Sequence, residues 1–131
     1  MLYSILIYGP EELLLHMSPQ EDAEAIARHE PLQRKLRAEG RLGPSMRLAP
    51  TGKATTLRAD REPFIVDGPF AETKEQLLGL YVVDCDTLEA AIETARQIPQ
   101  SCWRTLEIRP VSYYQPGMAG ADMPEAQARR A

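Results

Sequence analysis

The order of strand and helix patterns along this chain predicts one α+β domain. Apolar strand patterns open and close the chain at residues 2–8 and 105–111, and a continuous apolar run covers residues 77–84. Two amphipathic helix patterns begin after Ser18 and Asp86. With right-handed crossovers, this order gives an antiparallel sheet with both helices on one face, the ferredoxin-like βαββαβ arrangement. The length of 131 residues fits a single domain.

The first strand and the first helix have clear local signals. Residues 2–8 are rich in β-branched and aromatic side chains, which favour a strand. Residues 18–21 combine a serine cap, a proline at the first helical position and a glutamate that completes a capping box. We expect this helix to end near Glu39 before Gly40, with a kink at Pro31. Its apolar stripe consists of Ala25, Ile26, His29, Leu32 and Leu36.

The second half of the chain supplies a hairpin, two strands and a helix. Residues 55–58 and 63–66 predict the arms of an inserted hairpin, and residues 77–84 are the clearest strand. Asp86 is the expected cap of the second helix, and residues 105–111 form the last strand. The apolar stripe of the second helix consists of Leu88, Ala91, Ile92, Ala95 and Ile98.

The two faces of the predicted sheet indicate a homodimer. Alternation places Leu106 and Ile108 on one side of the last strand, and Glu107 and Arg109 on the other. Residues 77–84 are apolar on both sides, which disfavours a sheet with one face in water. We therefore expect two copies of the chain to pack with their sheets facing each other.

Composition and charge exclude several classes of function. The net charge of −4 and the pI near 5.2 argue against binding to nucleic acid, which needs a basic surface. No apolar stretch approaches the roughly 18 residues of a membrane span. The apolar start of the chain lacks a basic leading region, so we interpret it as a strand and expect a cytoplasmic protein.

The cysteines and glycines do not indicate a cofactor. A predicted helix separates Cys85 from Cys102, which puts them too far apart for a disulfide. Neither cysteine lies in a metal-binding spacing, and the chain has no glycine-rich phosphate loop. We therefore expect no metal and no cofactor.

One long run of residues resembles a known family. The segment Val66-Asp67-Gly68-Pro69-Phe70-Ala71-Glu72-Thr73-Lys74-Glu75-Gln76-Leu77, followed by Gly79-Leu80-Tyr81, resembles the YCII-related family in the branch named for Asp-Gly-Pro-Phe. The closing strand at residues 105–111 and the opening Leu-Ile-Tyr before a helix with His29 are also similar. The resemblance covers residues 1–114 and leaves residues 115–131 as a tail. It implies the dimeric α+β barrel, in which two ferredoxin-like protomers pack sheet against sheet.

The resemblance also suggests site residues and a partner. Activity in the family is largely unassigned, and a related branch includes muconolactone-type dehalogenases and isomerases. In the wider family, a histidine on the first helix and an aspartate have been proposed as a catalytic pair. His29 matches that histidine, and Asp67 is the candidate aspartate. Genes of the branch often lie beside those of extracytoplasmic-function sigma factors, which suggests a signalling link.

Each candidate residue also has a purely structural interpretation. His29 is either an acid or base near neutral pH or a core histidine, and Asp67 either contacts a ligand or only stabilises a turn. Lys74 is either an anion-binding group or part of a solvated charge cluster. The remaining candidates, expected to line a ligand pocket or to pair with one another, are Tyr81, Glu107 and Arg109.

Three functional hypotheses follow. The first is a small-molecule enzyme or ligand-binding protein, in which His29 moves a proton on a small anionic or carbonyl compound. In that hypothesis Asp67 fixes the imidazole tautomer, and Tyr81 or Arg109 stabilises developing charge. The second is a non-catalytic regulatory module that binds a sigma factor through the leucine-rich loop at residues 11–17 and the tail. The third is a small-molecule sensor without chemistry.

Overall fold

The fold is built on a four-stranded antiparallel sheet with the order β2-β5-β1-β6. The computed structural model describes residues 1–59, 61–99 and 104–120. The central strand β1 pairs with β5 on one side and with β6 on the other. In chain order the elements are β1 (Leu2–Gly9), α1 (Glu12–Leu15), α2 (Pro19–Ala27), α3 (Glu30–Ala38), β2 (Leu42–Arg47), β3 (Thr55–Arg58), β4 (Phe64–Asp67), β5 (Gln76–Asp84), α4 (Leu88–Arg96) and β6 (Thr105–Pro110).

This order and pairing confirm the predicted ferredoxin-like α+β fold. Strands β3 and β4 follow β2 and precede β5 in the sequence, and they form a separate two-stranded sheet, as expected for an inserted hairpin. Alternate residues of β1 are buried, because they face the helices. The core between the sheet and the helices consists of Tyr3, Ile5, Ile7, Leu32, Leu36, Tyr81, Val83, Cys85, Ala91, Ala95 and Ile98, with Leu106 and Ile108 packed against it.

The first helix region is two helices rather than one kinked helix. The capping box is present as predicted: the Ser18 hydroxyl accepts from the Glu21 backbone N–H, and the Glu21 carboxylate accepts from the Ser18 N–H. Pro31 has no N–H to donate to the Ala27 carbonyl, so the hydrogen-bond ladder is interrupted there. The helix therefore ends at Ala27, and a new one begins at Glu30 with His29 as its N-cap.

Two local predictions were wrong in detail. The cap of α4 is Thr87 and not Asp86: Thr87 is extended, and its hydroxyl accepts from the backbone N–H of Ala90 at 3.1 Å. Residues 11–17, predicted as a loop, contain the short helix α1, on which Leu13 and Leu15 are exposed. Gly40 has a φ of 68° and ends α3 as expected.

The hairpin and the sheet face opposite the helices leave apolar side chains exposed. In a single chain, Leu57 and Ile65 of the hairpin are 62% and 70% exposed. Met46 on β2 is also largely exposed. No helix in the described ranges is long and apolar enough to cross a membrane. Cys85 is a buried free thiol. Cys102 lies outside the described residues, so its predicted separation from Cys85 stays a prediction.

Candidate functional site

His29 lies where the first helix region is interrupted, and its imidazole reaches the sheet. Its Nδ1 atom is 2.6 Å from the hydroxyl of Tyr81 on β5. The two rings also stack, with centroids 5.8 Å apart and an interplanar angle of 27°. His29 is half-buried, whereas only 3% of Tyr81 is exposed. The break before α3 therefore brings a titratable side chain onto a buried phenol.

Two further polar side chains extend this pair. The Gln33 side-chain amide donates to the Tyr81 hydroxyl at 3.5 Å and to the hydroxyl of Ser45 at 3.2 Å. Gln33 is four residues after His29, so both side chains lie on the same face of the helix region. Ser45 is opposite Tyr81 in the register of β2 and β5. These four residues, His29, Gln33, Ser45 and Tyr81, are called the His29 network below.

The surroundings of the network are positively charged. Burial lowers the pKa of His29 below its ordinary value of 6.5, and the charges of Arg104, Arg47 and Arg28 lower it further. Burial raises the pKa of Tyr81 to about 12, partly opposed by its hydrogen bond with Gln33. Near neutral pH both rings are therefore uncharged, while the cations beside them favour an anionic ligand.

Arg47 is held in place by a carboxylate on the neighbouring helix. Its guanidinium binds Asp22 of α2 through two hydrogen bonds of 2.7 and 3.1 Å. A bidentate contact of this kind fixes the direction of the guanidinium group. This contact positions Arg47 between the end of β2 and α2, close enough for its charge to act on His29.

Asp67 lies on the hairpin and is not bonded to His29. It pairs with Thr55 across β3 and β4, and it is exposed. Among the described residues, no hydrogen bond or ion pair joins its carboxylate to the imidazole, whose Nδ1 is taken by Tyr81. The next residue, Gly68, has a φ of 97° and donates its N–H to the Ala54 carbonyl, which fits the turn interpretation of this dipeptide.

The other predicted ligand-binding residues are distributed over different surfaces. Tyr81 faces the helices, whereas Glu107 and Arg109 lie on the opposite face of the sheet and are exposed. This arrangement follows from the packing of their neighbours Leu106 and Ile108 against the core. Lys74 is exposed in the segment between β4 and β5. Within one chain, Tyr81 and His29 are thus the only pair of predicted site residues joined by a hydrogen bond in the described ranges.

A separate polar cleft of about 420 Å³ lies near α4 and does not include the His29 network. At its base, the Arg41 guanidinium donates to the Thr94 hydroxyl at 2.8 Å and to the Cys85 sulfur at 3.3 Å. Arg41 also donates to the Asp84 carbonyl and to the Glu39 carboxylate. These contacts tie the start of β2 to the end of β5, which is a structural role. No group of three or more metal-ligating side chains exists in the described parts of the chain.

Sequence reasoning did not find four residues of the site: Gln33, Ser45, Arg47 and Arg104. For Gln33 a signal existed, because it follows His29 by one helical turn. The positions of Ser45 and Arg47 depend on the register of β2 and β5, and that of Arg104 depends on where β6 starts. The spacing of residues in the sequence gives neither.

Comparison with known proteins identifies the family. The pattern of the YCII-related domain matches residues 1–114. The chain belongs to the YCII-related family. An uncharacterised protein of Rhizobium meliloti (strain 1021) is 43% identical over 120 residues, which cover 89% of this chain and 97% of that protein. The family match and this relative each cover most of the chain, and neither specifies a reaction.

Proposed function

We propose that this YCII-related protein is a small-molecule enzyme or ligand-binding protein whose site is the His29 network. The observation that carries the proposal is the 2.6 Å contact between the imidazole and the buried phenol of Tyr81. A titratable ring that is half-buried and fixed by a second polar group is a frequent feature of functional sites. The ligand class is a small anionic or carbonyl-bearing compound.

The charges around His29 support an anionic ligand. The charges of Arg104, Arg47 and Arg28 all act on the imidazole, and these arginines lie before β6, at the end of β2 and directly after α2. A carboxylate or enolate oxygen placed there is attracted by these charges, of which that of Arg47 is shared with the carboxylate of Asp22. The neutral imidazole then supplies a hydrogen bond to the ligand without adding further charge.

A ligand screen that follows melting temperature tests this proposal, because a compound that binds the folded state raises apparent stability. The compounds are small mono- and dicarboxylates and 2-oxo acids, at a fixed protein concentration. We expect at least one to raise the melting temperature of the wild type and not of His29→Asn or Arg47→Gln. Arg96→Gln is the matched control, since Arg96 is exposed on α4 and its ion pair within the described ranges is with Glu93. A shift that survives His29→Asn places the ligand elsewhere and refutes the proposal.

The proposed assembly is a homodimer that covers the hairpin and the sheet face opposite the helices. An isolated two-stranded hairpin is marginally stable in water, and β3 and β4 expose large apolar side chains on both sides: Leu57, Phe64, Ile65 and Val66. A second copy that buries them would remove this apolar surface from water. Light scattering on the eluting protein should give the mass of two chains, and Ile65→Lys should shift the mass towards one chain. A single-chain mass for the wild type would contradict the dimer.

The remaining site predictions depend on this dimer. Asp67, Lys74, Glu107 and Arg109 are exposed in one chain, so we propose that they contact a ligand only where a second copy completes the surface. Placement in the Asp-Gly-Pro-Phe branch is part of the same proposal and has its support in residues 67–70. A cytoplasmic location and a separate role for the tail stay predictions of the sequence.

A second candidate function is a regulatory module that binds a protein partner, including a sigma factor. The exposed Leu13 and Leu15, 47% and 54% accessible on the short helix α1, favour it. Two leucines on one exposed turn form a small apolar contact surface. The double variant Leu13→Ser and Leu15→Ser should reduce capture of an added sigma factor in a pull-down while the melting temperature stays constant. Unchanged capture would count against this function.

A further inference from the structure

We infer that Tyr81 and Gln33 fix the tautomer of His29, so that the neutral imidazole presents its Nε2–H to the ligand as a hydrogen-bond donor. This inference rests on the proposed function, because it assigns a role to His29 in the same site. It reverses the expectation that His29 is the proton-abstracting base held by Asp67.

The first step concerns the proton between the imidazole and the phenol. Nδ1 of His29 and the hydroxyl oxygen of Tyr81 are 2.6 Å apart, and either atom is able to donate. If Nδ1 donated, the phenol proton would need a second acceptor. In the described part of the chain, the hydroxyl has one other partner, Gln33, whose side-chain amide is assigned with its nitrogen towards Tyr81 and Ser45; in this orientation the amide donates to the phenol and does not accept from it.

The second step is the energetic consequence of that geometry. Tyr81 is 3% exposed, so a phenol proton without an acceptor would be an unsatisfied buried donor. Such a group destabilises the arrangement and shifts the tautomer equilibrium away from it. When the phenol instead donates to Nδ1 and accepts from Gln33, all three groups are satisfied. The proton of the neutral imidazole then resides on Nε2.

The third step concerns the protonation states that this arrangement requires. Burial raises the pKa of Tyr81, so the phenol keeps its proton. Burial and the charges of Arg104, Arg47 and Arg28 lower the pKa of His29, so the imidazole is neutral over most of the physiological range. No hydrogen bond to Nε2 occurs among the described residues, which leaves this atom for a ligand.

The chemical consequence is that His29 acts on oxygen and not on a C–H bond. A neutral Nε2–H next to cationic side chains suits a carbonyl or carboxylate oxygen on which negative charge is located or develops. The substrate class is thus a small 2-oxo acid or a related enolisable carboxylate. In this arrangement Tyr81 and Gln33 are positioning residues, since they act on the ligand through the imidazole.

Nitrogen NMR of the imidazole rings tests this inference without any ligand. The chain has two histidines, so spectra of protein labelled with ¹⁵N at histidine contain two rings, and a His16→Gln variant assigns them. His16 is exposed and serves as the internal reference. At alkaline pH we expect the Nε2–H form of His29 to exceed the Nδ1–H form by about tenfold or more. A predominant Nδ1–H form in the wild type overturns the inference.

A single-atom exchange in Gln33 provides a second, independent outcome. Gln33→Glu keeps the shape of the side chain but replaces the donor by a carboxylate that accepts the phenol proton. Tyr81 then accepts from Nδ1, and we expect the His29 tautomer to switch to Nδ1–H. Gln97→Glu, directly after α4, is the control for added charge and should leave the tautomer unchanged. An unchanged tautomer in Gln33→Glu contradicts the proposed relay. These results do not depend on ligand binding, so a negative ligand screen would refute the proposed function alone.

Discussion

Replacement of Gly79 by alanine should displace β2 from β5 and destabilise the protein by about 3 kcal/mol. A Cβ atom at position 79 would lie 2.3 Å from the Met46 carbonyl oxygen and 3.2 Å from the Cα of Arg47. Ordinary contact begins near 3.4 Å, so the neighbouring backbone must move by about 1 Å. Both neighbours belong to the backbone of β2, which cannot rotate away as a side chain can. Overpacking of this kind costs about 1–3 kcal/mol, and the rigid neighbour favours the upper end.

Urea denaturation followed by circular dichroism measures this change, at one protein concentration for all variants. Gly52→Ala is the matched control, because among the described residues beyond its chain neighbours no atom lies within 4 Å of its added Cβ, and its φ is not positive. We expect Gly52→Ala to stay within about 0.5 kcal/mol of the wild type. For Gly79→Ala the melting temperature should fall by roughly 10 °C in a domain of this size. A change below about 0.5 kcal/mol in Gly79→Ala would refute the close approach of β2 and β5.

Three further predictions follow from individual contacts. Ser18→Ala removes the hydroxyl of the capping box. It should lower the free energy of unfolding, measured by urea denaturation, by about 1 kcal/mol. An unchanged midpoint would mean that the cap contributes nothing. Arg41→Met removes four hydrogen bonds at the start of β2 and should lower the free energy of unfolding, measured by thermal denaturation, by about 1 kcal/mol. The surface control Arg34→Met should lower it by less than about 0.5 kcal/mol. The pKa of His29 is lower in the folded than in the unfolded state, so the unfolded chain binds the additional proton and wild-type stability should fall, relative to His29→Gln, as the pH drops below 6.5. A difference between the two proteins that is constant from pH 8 to 5 would contradict the lowered pKa.

Most of the sheet and both helix regions were predictable, because their signals are local. The capping box at Ser18 and the apolar run of β5 depend on neighbouring residues alone, and both are present. Pro31 was correctly identified as the point of irregularity, but the extent of the break depends on how the chain packs on the sheet. Strand β2 was less clear from sequence, since Gly43 and Pro44 interrupt its pattern.

The site was predictable only in part, for reasons of register and of sheet faces. The helix pattern predicts His29 on the apolar stripe, and strand alternation puts Tyr81 on the same side of β5 as Gly79 and Val83. Since β5 is apolar on both sides, alternation alone did not reveal which side the helices cover. Tyr81 was therefore grouped with Glu107 and Arg109, whereas the structure puts it against His29. Ser45 joins the site because it pairs with Tyr81, which is 36 residues later in the sequence, and local patterns do not specify such a pairing.

The central claim is that the His29 network is a binding site for a small anionic compound. Titration of the histidine-labelled protein with pyruvate and with oxalate, followed through the imidazole signals, tests it most directly. We predict that at least one of them shifts the His29 signals saturably and raises the pKa of His29, because a bound anion offsets the surrounding arginine charges. His16 should not respond. Signals of His29 that stay unmoved, or that move only in parallel with those of His16, would contradict the claim.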